Sequence, residues 1–86
     1  MTITEIKAHL TTGKYAWPGG YPLFFITSDG AVLSFEAVQE NIESIVWSVD
    51  NEVSDGWLVT AVDVNWEDPE LVCDHTGNRI ESAYAD

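Results

Sequence analysis

The sequence predicts an α+β fold: a short N-terminal helix, a β-hairpin, a second helix and a three-stranded antiparallel meander. Three observations carry this. Thr2 and Ser34, both good helix N-caps, each precede apolar residues at helical spacing. Residues 23–34 read as strand, glycine-bearing turn and strand. From Trp57 onward apolar and polar residues alternate between turn residues, without a helical period.

Taken in order, Thr2-Ile3-Thr4-Glu5 has the form of a capping box, in which hydroxyl and carboxylate each meet a free backbone N–H. Ile3, Ile6 and Leu10 then share one face of a helix of about ten residues. Gly13 is placed to end it in the left-handed conformation. His9 lies off that face and is expected in solvent. YAWPGGYP, residues 15–22, is a rigid turn set by Pro18, Gly19, Gly20 and Pro22. LFFIT (23–27) and AVLS (31–34) flank Ser28-Asp29-Gly30 as a hairpin. Ser34 caps a second helix from Phe35 to about Val49. At about 100° per residue, Phe35, Val38, Ile42, Ile45, Val46 and Val49 form its core face. Glu36, Glu40, Glu43 and Trp47 fall opposite. Residues 50–56 form an acidic loop, and 57–66 the strongest strand, with Leu58, Val62, Val64 and Trp66 alternating against Val59, Ala61, Asp63 and Asn65. The acidic turn 67–70, a short strand 71–73, the turn 74–78 and a strand 79–84 complete the meander. Residues 1–86 are expected to form a single domain.

The charge is the strongest compositional signal. Fifteen carboxylates face three basic side chains, for a net charge of −12. A small domain ordinarily carries a magnitude of about 2–8. The acid is also unevenly placed: Glu5 stands with Lys7 and Lys14 before residue 29, and the other carboxylates follow against Arg79 alone. Such a field repels nucleic acid and anionic membranes and attracts basic surfaces. No apolar run reaches the ~20 residues of a membrane span, and MTITEIKAHL lacks a signal peptide's basic and apolar regions. With one cysteine and no disulfide framework, cytoplasmic residence in the host cell is the expectation.

Catalytic chemistry finds little support. His9 and His75 are the only imidazoles, and Cys73 and His75 alternate, so they point to opposite sides. There is no phosphate-binding glycine loop and no EF-hand string. Enzymatic activity, a catalytic residue and a cofactor are therefore not expected. The stretch LVCDHTGNR (71–79) resembles one knuckle of a zinc ribbon, but tetrahedral zinc takes four ligands in two pairs. Cys73 is the only cysteine.

The segments Trp17 to Phe25, Asp29-Gly30, Asn65 to Pro69 and Arg79 to Tyr84 resemble a group of small phage- and prophage-encoded zinc-knuckle proteins. Their pattern is W-P-G-G-Y-P-L-aromatic-F, D-G, C-x-x-C, N-W-E-D-P and a terminal C-x-x-C-G-x-R-I-E-S-A-Y. The resemblance spans about residues 15–85 and implies a degenerate zinc-ribbon-like fold. Its four cysteine positions fall here on Ser34, Ala37, Cys73 and Thr76, so no metal is expected. Cys73 becomes a small buried hydrophobe.

Two functional classes remain. In the first, the chain is a non-enzymatic inhibitor of the anti-CRISPR type that the resemblance implies. It would present a DNA-like acidic surface to the basic face of a host nucleic-acid-binding defence complex. Glu36, Glu40 and Glu43 with Trp47 form one candidate strip, extended by Asp50, Glu52 and Asp55; Glu67, Asp68, Glu70 and Asp74 form another. In the second, the chain is a small adaptor or structural module, dimeric through Trp47, whose acidity is incidental. A monomer or a homodimer, with no direct nucleic-acid or membrane contact, fits both.

Overall fold

Thr2 opens the first helix by reciprocal capping. Its Oγ1 accepts from the Glu5 N–H at 3.2 Å, and its own N–H donates to Glu5 Oε1 at 3.0 Å. The backbone bond from Thr2, followed by its hydroxyl, holds the Glu5 carboxyl below the ordinary range. In the computed structural model, which describes residues 1–13, 15–16, 21–68 and 70–82, this helix is α1, Ile3–Thr12. Ile6 is fully buried, with Leu10 packed against the core. Gly13 ends α1 at φ 114 and ψ 170, a region open to glycine but not the left-handed helical conformation that was expected. His9 is not free in solvent either: it is half-buried, edge-on to Phe25 at 6.3 Å between ring centroids.

The strands are β1 (Tyr15–Ala16), β2 (Tyr21–Thr27), β3 (Val32–Leu33) and β4 (Val59–Val64). The rigid turn expected over residues 15–22 has its two ends in β1 and β2, and residues 17–20 between them lie outside the described residues, as do Pro69 and residues 83–86. β2 is central. It pairs antiparallel with β1, with β3 (Phe25↔Leu33, Ile26↔Val32) and with β4 (Leu23↔Val64 through Thr27↔Val59). The β2–β3 turn follows its sequence: Thr27 N–H donates to Ala31 O at 2.9 Å, and Gly30 takes φ 83 at the loop's end. The Thr27 hydroxyl donates to Asp29 Oδ1 and holds that carboxyl low.

The sheet corrects the expected meander. β4 does not pair with residues 71–73; it returns to the hairpin and pairs with β2. Among the described residues, 71–82 contribute one isolated bridge, Val72↔Arg79, rather than two further strands. Asn65 supplies the reason. It is buried, its N–H donates to Pro22 O, and its Nδ2 lies 3.0–3.2 Å from the carbonyls of Asp68, Ile80 and Glu81. Chain that would have zipped beside β4 is instead tied to one side-chain amide.

The alternation of β4 is also broken. Ile26 faces Ala61 but Thr27 faces Val59, so Thr60 is an extra residue, a bulge. Val62 is opposite Phe25 on the core face, and the bulge then turns Val59 inward, where it is buried.

The predicted second helix is two: α2, Phe35–Glu40, and α3, Ile42–Asn51. Ser34 caps the first as expected, its Oγ accepting from Ala37 N–H at 3.1 Å. Asn41 breaks the run: its backbone leaves the helical region at φ −114 and ψ 25, and its Nδ2 as well as its N–H donates to Ala37 O. The expected core arc is accordingly displaced. Phe35, Val38 and Ile45 are buried, Ile42, Val46 and Val49 only partly, and Ala37 and Ser48 are fully enclosed. The core joins Ile6, Phe25, Leu33, Phe35, Ala37, Val38, Ile45, Val59, Cys73 and Ile80, so all three helices, the sheet and the C-terminal segment meet in it. No helix among the described residues is long and apolar enough to cross a membrane.

Candidate functional site

The break at Asn41 divides the strip of Glu36, Glu40, Glu43 and Trp47. All four are exposed. Glu36 and Glu40 on α2 border a depression shared with Thr76, Asn78 and Arg79, so a cation sits beside that end of the strip. Glu43 and Trp47 on α3 border a separate, shallow depression of about 310 Å³ with Ser44, Asp55 and Trp57. Pockets for small ligands run to about 300–1,000 Å³. This one is at the lower end of that range.

The remaining predicted acids fall into two groups by what their carboxylates do. Asp55, Asp68 and Asp74 serve the fold. Asp55 Oδ1 accepts from the Ser48 hydroxyl at 2.7 Å and from Trp57 N–H at 3.1 Å. The Ser48 bond, foremost, holds the Asp55 carboxyl below its ordinary range. Asp68 Oδ1 accepts from Glu70 N–H within the turn. Asp74 Oδ2 accepts from Val32 N–H at 2.7 Å while Asp74 N–H donates to Val32 O at 2.8 Å, closing the free edge of β3. Asp50, Glu52, Glu67 and Glu70 are exposed. Asp50 lies in the last turn of α3, and Glu52 caps that helix in the left-handed conformation at φ 53.

Asp74 does not act only with the 67–70 turn. It borders a second hollow with Asp55, Gly56, Trp57 and His75. Trp57 lines both hollows, and His75 stands edge-on to it at 4.9 Å. Trp57 is the site residue that sequence reading missed. Its alternation placed it in a strand, whereas it precedes β4, held by the Asp55 turn.

Cys73 is fully buried and His75 exposed, so the two do face apart. Ser34 and Thr76 converge on the Cys73 sulfur. Burial opposes ionisation of the thiol. Hydrogen bonds from the Thr76 side chain, then the Ser34 and Thr76 backbone and the Ser34 side chain, outweigh it and lower the pKa from 9.0 to about 7. Gly77, at φ 75, turns the chain so that its N–H reaches Cys73 O at 2.8 Å. Among the described residues no group of three or more His, Cys, Asp or Glu side chains is placed to hold a metal ion.

Compared with protein-family models, curated proteins and solved structures, the chain matches none.

Proposed function

We propose that this chain is a non-enzymatic acidic protein that docks on the basic surface of a host nucleic-acid-binding defence complex and blocks it. The observation that carries the reading is where the acid sits. Glu36, Glu40, Glu43, Asp50, Glu52, Glu67 and Glu70 are all exposed on a chain of net charge −12. Glu36 and Glu40 are i and i+4 on α2, where side chains stand about 6 Å apart, close to the spacing of successive phosphates. Short helices on a hydrogen-bonded sheet lose little entropy on docking, which favours mimicry of DNA by a rigid surface. The phage-protein resemblance supports a defence complex as the target.

Competition measures this directly. Purified host DNA-binding defence complexes are titrated with the protein in the presence of labelled DNA at low and high salt. DNA is displaced at low salt, and displacement weakens steeply as ionic strength rises. Reversing Glu36, Glu40 and Glu43 to lysine removes the effect and leaves the fold intact. Undiminished displacement by that variant takes the helical surface out of the reading.

The exposure of Trp47 (55%) and Trp66 (45%) favours a second reading, a homodimeric adaptor. Its mark is self-association in sedimentation that barely responds to salt.

A further inference from the structure

Trp47 is the most exposed large apolar side chain described, and it is not isolated. Glu43, one helical turn earlier on α3, and Asp55 and Trp57 from the following loop complete a hollow around its indole. Two indoles and two carboxylates around one open depression answer a particular chemistry. An aromatic face attracts a cation, arginine more often than lysine, because the planar guanidinium stacks as well as bearing charge. Carboxylates at the rim match its fork of N–H donors. Only Oδ1 of Asp55 takes the bonds from Ser48 and Trp57, which leaves Oδ2 outside those bonds. The same bonds fix the carboxylate and the Trp57 backbone before any partner arrives. His75, edge-on to Trp57, limits that ring on another side. An apolar ligand in the hollow would lie beside uncompensated acid.

We infer that the hollow between Trp47 and Trp57 is the docking point for a single arginine side chain of a basic protein partner, stacked on indole and paired with Glu43 and Asp55. This rests on the reading of the chain as a binder of basic surfaces and adds what that reading lacks, a specific anchor. Diffuse acid steers a partner, whereas a desolvated aromatic and arginine contact sets register and slows release.

The test uses the whole chain and two probes. Arginine amide is titrated while the indole N–H signals of Trp47 and Trp57 are followed by NMR, with citrulline amide, whose side chain is the neutral isostere and which keeps the same α-amino group, as control. Both signals move saturably with arginine amide, and citrulline amide leaves them in place. Trp47→Ala weakens binding by about two- to fivefold, the scale of one exposed cation–π contact. Glu43→Gln, which keeps the shape of the hollow, also weakens it. Equal response to citrulline, shifts confined to other residues, or unchanged affinity in Trp47→Ala overturns the inference. Nonaarginine is the second probe and reports the acidic surface as a whole. If it binds the parent and Trp47→Ala equally and with steep salt dependence, the anchor falls and the acidic surface stands. If nonaarginine binds with little salt dependence and Trp47→Ala abolishes that binding, the acidic surface falls and the hollow stands.

Discussion

The hydroxyl of Ser48 donates to Oδ1 of Asp55 at 2.7 Å, joining a fully buried position on α3 to the loop that carries Trp57. A polar residue in the core is thereby satisfied, and the loop is held where its acid and its indole meet Trp47. The bond lowers the Asp55 pKa, so its contribution is present above the ordinary aspartate range and is lost as pH falls through the lower, folded-state value. Ser48→Ala therefore destabilises the protein at neutral pH, and the difference from the parent closes in strong acid. Urea midpoints for the two proteins across that range check it. A difference independent of pH would assign the effect to packing alone.

Cys73 ionises near neutrality. Thiolate absorbance in the ultraviolet should titrate near pH 7, and Thr76→Val, which removes the leading hydrogen bond, should raise the midpoint. With a folded pKa of about 7 below an ordinary 9.0, stability rises between those values and falls as pH drops through the lower. Cys73→Ala loses that rise. Chelators are expected to leave the unfolding midpoint unchanged, because among the described residues no three His, Cys, Asp or Glu side chains are placed to hold a metal ion.

Asp74 is a structural acid first. Replacing it with alanine leaves Val32 N–H without its carboxylate and costs about 1 kcal/mol, read as a lower denaturation midpoint. Charge reversal at Asp74 therefore mixes binding with stability, whereas reversal at Glu40 or Glu43 does not.

Asp63 guards the edge of β4. Asn65 N–H reaches Pro22 O, so by antiparallel alternation the Val64 N–H faces outward. Asp63 Oδ1 accepts it at 2.7 Å. A charged residue that takes up an outward donor discourages pairing with another strand. Asp63→Val should promote self-association, visible as a concentration-dependent increase in mass by light scattering. A variant that stays monomeric would show that the bulge at Thr60 protects the edge by itself.

Local chemistry was legible where its determinants lie within a few residues. Thr2 with Glu5, Ser34 with Ala37, and Ser28-Asp29-Gly30 declare caps and a turn through bonds that close over three or four positions. Asn41 was not legible as a break. Neither glycine nor proline marks it, and residues 35–49 keep a helical period across it. The break lies in the Asn41 backbone, at φ −114 and ψ 25, while its side-chain amide reaches back to Ala37 O, a local bond that asparagine offers without requiring. The strand partners of β4 were equally hidden. Apolar alternation identifies a strand but not its neighbour, and the choice turned on Asn65 drawing the later chain into a web of side-chain bonds.

The acidity, the lone cysteine, the helix caps and the hairpin were determined by sequence alone, because composition and short-range hydrogen bonding need no knowledge of distant contacts. Which of the exposed acids also bond to the fold was decided only in three dimensions. Asp55 and Asp74 look no different from Glu43 in the sequence, but the Ser48 hydroxyl, seven residues from Asp55, and Val32 N–H, 42 residues from Asp74, claim their oxygens. The pairing of Trp47 with Trp57 around one hollow has the same origin. It exists because a buried hydroxyl on α3 holds the loop against the helix, a relation that no periodicity within either segment records.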